Sequence, residues 1–186
     1  MIPTLLIING ISSAGKSSLA HSFQTQSAHQ WMRLSLDDFF DMFPTGANYT
    51  KVPYERFLEA FYKSVAIWAA EGFDLIVDTV FESERCLKLA QESLQSYRVY
   101  LIALHCPLEE AERREQRRGN RPVGLARKQF QHVHSYCDYD LELNSFDSPS
   151  GENVNKLNVY LSNEQQPSAF QASLNQTDPK SSLLRA

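Results

Sequence analysis

Apolar residues follow two different spacings along most of this chain. Short, nearly continuous apolar runs are typical of strands buried on both faces of a parallel sheet. These runs lie at 5–9, 32–36, 73–77 and 99–104, and a fifth run at 138–143 alternates as an edge strand would. Segments with helical spacing lie at 54–71, 83–96, 108–118 and 123–133. Strands and helices alternate, and this order predicts an α/β fold with helices on both faces of a parallel sheet.

The composition changes near residue 162. The chain has 186 residues, the size of one domain. From Ser162 to Ala186 it is rich in Gln, Ser, Asn and Pro, with little apolar periodicity. Such a composition buries too little apolar surface to offset the entropy of ordering. We therefore expect one folded domain over 1–162 and a polar, flexible tail over 163–186.

A glycine-rich loop follows the first apolar run. The pattern G-x-x-x-x-G-K-S joins a predicted strand to a helix, the context in which it binds phosphate. Its N–H groups converge on phosphate oxygens, and the helix dipole adds to the attraction. We expect Lys16 to bridge the β- and γ-phosphates of ATP and the Ser17 hydroxyl to ligate Mg²⁺. The predicted nucleotide-binding residues here are Gly10, Ser12, Ser13, Ala14, Gly15, Lys16, Ser17 and Ser18.

Two aspartates follow predicted strands. Asp37 and Asp78 should both lie at the carboxyl edge of the sheet, where open α/β folds bind ligands. Asp37 is placed to accept a proton from an acceptor hydroxyl. Capping the next helix is its alternative role, and Asp38 is the next candidate base. Asp78 has the position of a Walker B acid that holds Mg²⁺ with Ser17, or else of a turn residue.

A helix rich in arginine follows the fourth strand. Arg114, Arg117, Arg118 and Arg121 are three or four residues apart and so share one face. A lid closing over ATP would use such arginines to stabilise charge on the transferring group. We assign Arg114 and Arg118 to nucleotide binding. The predicted catalytic residues are Asp37, Lys16 and Arg121. Because glutamates are interspersed, an ordinary salt-bridged surface helix is the alternative.

The stretch after Asp37 is the most aromatic in the chain. It contains Phe39, Phe40, Phe43, Tyr49 and Tyr54. Some of these rings must belong to the core, since aromatics at helical spacing usually do. The stretch also lies where an acceptor would enter, which indicates an aromatic or amphipathic acceptor.

The net charge and the cysteines limit the kinds of partner and metal that the chain is expected to bind. A net charge of -4 gives no overall field that would attract nucleic acid or an anionic membrane, so neither partner is expected. Three widely spaced cysteines fit neither a disulfide framework nor a zinc site. No apolar run approaches the roughly 20 residues that cross a bilayer, and the first residues do not resemble a signal peptide. We expect a cytoplasmic protein.

In order, these motifs resemble the chloramphenicol phosphotransferase-like family of P-loop kinases, over Ile7 to about Asn144. The matching positions are Asn9-Gly10, Ser12 to Ser17, Asp37 with Pro44, Ile76 to Phe81, Arg118 to Arg121, Gly124, Lys128-Gln129, Val133-His134 and Tyr139-Asp140. The resemblance implies a nucleoside-kinase-like, three-layer fold with a five-stranded parallel sheet and a short helical lid. It also places Asp37 on the family's catalytic base. Thr79 departs from the namesake's second acid, and the segment over 45–53 is shorter than its substrate-side insertion.

The resemblance implies ATP-dependent phosphorylation of a hydroxyl on a small molecule, the primary alcohol of chloramphenicol in the namesake enzyme. A toxin-like or metabolic kinase of a nucleotide sugar or nucleoside is the alternative within the enzyme class. A nucleotide-dependent binding or switch module is the alternative from another class. A polynucleotide kinase is disfavoured by the acidic balance. The sequence leaves the acceptor and the oligomeric state open.

Overall fold

Parallel strands form the centre of the molecule. The computed structural model describes residues 2–44, 52–118, 123–148, 150–163 and 166–176. Within these ranges the sheet has five strands in the order β2-β3-β1-β4-β5, and their pairings are parallel. The strands are β1 (Thr4–Asn9), β2 (Met32–Ser35), β3 (Leu75–Thr79), β4 (Arg98–His105) and β5 (Leu141–Asn144). The predicted α/β class and five-stranded parallel sheet are confirmed, and β5 is an edge strand as expected.

Helices occupy the connections between the strands and the segment after β5. They are α1 (Lys16–Gln26), α2 (Leu36–Phe40), α3 (Tyr54–Ala70), α4 (Glu84–Leu94), α5 (Leu108–Arg118), α6 (Leu125–Phe130), α7 (Ser150–Ser162) and α8 (Ala169–Gln176). In the described part of the chain, no helix is both long and apolar enough to cross a membrane.

The central strand β1 supplies side chains to a core on each face of the sheet. Leu5 and Ile7 pack in one core with α3, α4 and α8, and Leu6 and Ile8 pack in the other with α1 and α7. Successive side chains of a strand point to opposite faces, so a strand covered on both sides is apolar throughout. This explains the uninterrupted apolar run and gives the three layers.

The long helix α3 buries one stripe of its surface. Its buried residues are Leu58, Phe61, Tyr62, Val65 and Ala69. Trp68 fits the helical spacing only at the margin of this stripe, and it is 41% exposed and packs edge-to-face on Phe73. Trp68 lies seven residues after Phe61. A step of seven residues falls about 20° short of two full helical turns, which moves the Trp68 side chain away from the stripe and toward solvent.

The segment over 163–186 was predicted to be a flexible tail, but residues 169–176 of it form the helix α8. Phe170 of this helix is fully buried. The Asp140 carboxylate accepts hydrogen bonds from the N–H groups of Ser168 (2.8 Å) and Ala169 (3.0 Å), and Gln91 Nε2 donates to the Phe170 carbonyl (2.9 Å). These partners are distant in sequence, so local composition gives no sign of them. Residues 177–186 lie outside the described residues.

Candidate active site

The phosphate loop and the helices α1, α2 and α5 meet at the carboxyl edge of the sheet. They enclose a cavity of about 530 Å³. Its lining residues are Ser13, Gly15, Lys16, Ser17, Ser18, Asp37, Arg114, Arg117 and Arg118. The structure therefore brings the predicted base, the phosphate loop and the arginines of α5 into one cavity.

The phosphate loop has a backbone that most residues would not adopt. Gly15 has φ 99° and is the N-cap of α1, and Ser13 has φ 59°, in the left-handed region that is unfavourable for a residue with a side chain. Lys16 is only 6% exposed, and its Nζ donates to the Ile11 carbonyl at 3.0 Å. The amine thus lies folded over the loop whose backbone it helps to hold.

Two hydroxyls of this loop are buried without a hydrogen bond to any described residue. They are Ser12 Oγ and Ser13 Oγ. A buried hydroxyl without a partner costs free energy, and native structures contain few of them. Ser13 lines the cavity, where a ligand rich in acceptor oxygens would supply the missing bond. The loop therefore fits a phosphate group.

Ser17 and Asp78 form the oxygen pair that was predicted to hold Mg²⁺. Ser17 Oγ donates to Asp78 Oδ2 at 2.5 Å, and Asp78 is 2% exposed. Burial raises the pKa of the Asp78 carboxyl, while Lys16 and the Ser17 hydrogen bond act in the opposite direction. The described residues include no group of three His, Cys, Asp or Glu that could hold a metal by itself. Mg²⁺ needs no such group, because phosphate oxygens and waters complete its shell.

Asp37 lies inside the first turn of α2. The N-cap of this helix is Ser35, so Asp37 does not have the capping role considered as its alternative. Its side chain lines the same cavity as Lys16 and Ser17. Asp38, the second candidate base, is 53% exposed and forms an ion pair with Arg33 at 2.7 Å. The geometry therefore favours Asp37 over Asp38.

Arg114 of α5 is tied to the scaffold as well as facing the cavity. Its guanidinium donates to the Ala14 carbonyl (3.2 Å) and to Ser145 Oγ (3.1 Å), and it forms an ion pair with Glu110 at 2.6 Å. Hydrogen bonds from Arg113 and Arg114 lower the pKa of Glu110 to about 2. The helix α5 thus forms salt bridges along its surface and also contributes arginines to the lining of the cavity.

Arg117 lines the cavity but was not assigned to it from the sequence. Its spacing of three residues from Arg114 had already placed it on the arginine-rich face of the helix. Arg121, which was predicted to be catalytic, lies outside the described residues.

A family model described as "Chloramphenicol phosphotransferase-like protein" matches residues 3–161. The chain belongs to this family. Two Mycobacterium tuberculosis proteins, from strains CDC 1551 and H37Rv, each provisionally named an O-phosphotransferase, are 29% identical to it. The alignment spans 192 residues and covers 89% of this chain and 85% of each relative.

Solved kinases share the fold of this member of the chloramphenicol phosphotransferase-like family. The M. tuberculosis APS kinase CysC, in complex with AMPPNP and APS, aligns with TM-score 0.66 and 18% identity over 86% of this chain and 98% of its own. A gluconokinase from Sinorhizobium meliloti 1021 aligns with TM-score 0.59 and 13% identity over 95% of this chain and 98% of its own. The family and the fold together support a phosphotransferase with a nucleotide-binding P-loop.

Some residues that match the motifs of this family bond to one another beside the site and do not line the cavity. Asn9 donates to the Val133 carbonyl (2.9 Å) and to the Tyr139 hydroxyl (2.7 Å), and it accepts from the Phe81 N–H (2.9 Å). His134 bonds to the same Tyr139 hydroxyl, and burial, with a smaller contribution from His105, lowers its pKa to about 4. This low pKa favours the neutral ring, and the Tyr139 hydroxyl links His134 to Asn9 at the end of β1.

The aromatic residues that follow Asp37 pack largely on α3. Phe39 lies 4.9 Å from Phe61, and Phe40 lies 4.2 Å from Phe57, as ring centroids. These rings are partly buried and extend the core beside Asp37. Tyr49 lies outside the described residues.

Proposed function

We propose that this chain transfers the γ-phosphoryl group of ATP to a hydroxyl group of a small molecule. The observation that supports this most directly is the position of Asp37 in one cavity with Lys16 and Ser17. A carboxylate beside a phosphate loop can activate an acceptor hydroxyl in line with the γ-phosphate. A nucleotide-dependent switch could use the loop without an acceptor, so transfer to an acceptor hydroxyl is the property that distinguishes the two functions.

Each side chain has a distinct role in the proposed reaction. Asp37 accepts the proton of the acceptor hydroxyl while the hydroxyl oxygen bonds to the γ-phosphorus. The bond to the oxygen bridging the β- and γ-phosphates breaks, and ADP leaves. Lys16, Arg117 and Arg118 offset the charge on the phosphate oxygens, which is the main contribution a protein makes to phosphoryl transfer.

Ser17 and Asp78 are the residues that would hold Mg²⁺ with the nucleotide. Both offer oxygen atoms, which is the ligand type that this ion prefers. When bound, Mg²⁺ neutralises charge on the phosphate oxygens. Asp78 needs no further acid beside it for this role, so Thr79 is compatible with it.

The acceptor in this proposal is a small alcohol, chloramphenicol being one candidate, and the reaction takes place in the cytoplasm, where ATP is available. The partly buried ring of Phe40 lies three residues after Asp37 on α2 and offers an apolar surface to such a compound. Nucleosides and nucleotide sugars are the other acceptors to test.

The test compares Asp37→Asn with Asp38→Asn. ADP formation is followed with Mg-ATP and a panel of chloramphenicol, nucleosides, nucleotide sugars and cell extract, with phosphorylated products identified by mass spectrometry. Loss of the base should lower kcat by about 10²-fold or more while nucleotide affinity is kept. Asp38→Asn makes the same chemical change at an exposed neighbour and should keep wild-type kcat. Full transfer activity in Asp37→Asn would exclude the base role.

A further inference from the structure

The side-chain amide of Gln129 joins three segments that are far apart in sequence. Gln129 lies in α6 and is 5% exposed. Its Oε1 accepts a hydrogen bond from the Ser12 N–H at 2.6 Å, and its Nε2 donates to the Glu82 carboxylate. Gln129 does not line the cavity, so the roles proposed above do not account for its contacts.

The bond to Ser12 acts next to the strained residue of the phosphate loop. Ser13 has φ 59°, and a non-glycine residue keeps such a backbone only where its surroundings hold it there. Side chains from other elements hold both of its neighbours. Gln129 accepts from the N–H before Ser13, and Arg114 donates to the carbonyl of Ala14 after it.

The position of Glu82 is fixed relative to the same loop. Glu82 follows Phe81, which is fully buried and whose N–H donates to Asn9 Oδ1 at 2.9 Å. Asn9 is the last residue of β1 and immediately precedes the loop. The backbone beside Glu82 is therefore tied to the start of the loop, and the Gln129 amide lies between the Glu82 carboxylate and the Ser12 N–H.

The chemistry of the two partners orients the amide. An ionised carboxylate only accepts hydrogen bonds, and a backbone N–H only donates one. The NH₂ group of Gln129 must therefore face Glu82, and its oxygen must face Ser12. Reversing the amide would break both bonds in a buried place, where each unsatisfied group costs free energy.

We propose that Gln129 is a positioning residue for the nucleotide. Its amide, oriented by Glu82, keeps the backbone around Ser13 in the shape that receives phosphate. The inference rests on the nucleotide-binding part of the proposed function and not on the identity of the acceptor.

The first experiment measures the Kd of Mg-ADP by titration calorimetry for the wild type and Gln129→Ala, with the thermal midpoint of each protein. Loss of the bond should weaken Mg-ADP binding about tenfold, because the freed N–H and the relaxed loop must be reordered when the phosphates bind. Gln131→Ala is the matched control, since this exposed glutamine lies two residues further on and should leave Kd unchanged.

The second experiment exchanges the side chains of Gln129 and Glu82. Gln129→Glu can still accept from Ser12 but places a carboxylate against Glu82, so Mg-ADP binding should weaken about tenfold or more. Adding Glu82→Gln supplies an amide donor to the new carboxylate and should recover at least about fivefold of this loss. Glu82→Gln alone keeps an oxygen that accepts from Gln129 and should stay within about threefold of the wild type. Gln131→Glu controls for the added charge.

The outcomes separate positioning from stability alone. Wild-type Mg-ADP affinity in Gln129→Ala with a lowered thermal midpoint would overturn the proposal, as would a double variant that binds no more tightly than Gln129→Glu. If Gln129→Ala does not fold, the exchange of Gln129 and Glu82 tests the proposal without it. Because Mg-ADP binding requires no acceptor, this result stands apart from the Asp37→Asn test of phosphoryl transfer.

Discussion

The backbone of the phosphate loop leaves no room for a side chain at Gly10. A Cβ built there would lie 2.5 Å from the carbonyl oxygen of Leu104, which belongs to β4. β1 and β4 are hydrogen-bonded neighbours, so neither backbone can move away without disturbing the sheet. The first glycine of the motif is thus required by sheet packing before any ligand binds.

A pair of Gly→Ala substitutions tests this at the scale of single atoms. Gly10→Ala should lower the free energy of unfolding by about 1–3 kcal/mol through the clash with Leu104. Gly151→Ala, in α7, should raise it by about 0.4–1 kcal/mol, because a Cβ there meets nothing within 4 Å and the unfolded chain loses entropy. Urea denaturation measures both, and shifts of the same sign would contradict the explanation.

At the scale of elements, α8 shows how little apolar surface an ordered helix needs when its partners are already in place. Phe170 is its large buried anchor, packed in the core that α3 and α4 share. Asp140 satisfies two backbone N–H groups at its start, and the fully buried Gln91 holds the Phe170 carbonyl. Capping of this kind and burial together stabilise a helix that its own sequence would not.

Removal of the Phe170 ring tests whether α8 belongs to the folded unit. Phe170→Ala should lower the free energy of unfolding by about 3–5 kcal/mol, as deletion of a buried aromatic ring does. Val159→Ala, at a site in α7 that is 53% exposed, should change it by less than about 0.5 kcal/mol. Equilibrium denaturation compares the variants. Equal stability of Phe170→Ala and the wild type would show that α8 contributes nothing to the fold.

The periodicity of the sequence identified the strands and the helices α3 to α6 but not the last two helices. Apolar runs that end in Gly or Asp are local features, and β1 and β3 were predicted to within two residues. In α7 the fully buried positions include Val154 and Leu157, between many polar residues. That spacing is too sparse to distinguish from a polar segment until the sheet surface that covers it is known.

At the scale of the whole molecule, the overall charge does not describe the field at the site. The chain carries a net charge of -4, yet its cavity is lined by Lys16, Arg114, Arg117 and Arg118. These residues lie near the start and the middle of the sequence, and the sheet brings them together. Because the cavity is built from elements on both sides of β1, a ligand bound there stabilises the native state as a whole.

Nucleotide binding should therefore raise the stability of the whole chain. Mg-ADP at 100 times its Kd should add about 2.7 kcal/mol to the free energy of unfolding, visible as a higher thermal midpoint. Lys16→Ala should abolish most of this shift, and Lys63→Ala, at an exposed site in α3, should keep it. Differential scanning fluorimetry gives the comparison, and an unchanged shift in Lys16→Ala would contradict the assigned site.

The sequence by itself determined the order of the strands and of the helices up to α6, the phosphate loop and the placement of Asp37 and Asp78. These follow from local rules, because parallel strands end at one edge and a residue after a strand must emerge there. Only the tertiary structure decided that Ser17 bonds Asp78, that Arg114 holds Ala14 and that Gln129 holds Ser12. Ser12 and Gln129 are 117 residues apart. Such bonds depend on how the packed elements align, and no periodicity along the chain records that alignment.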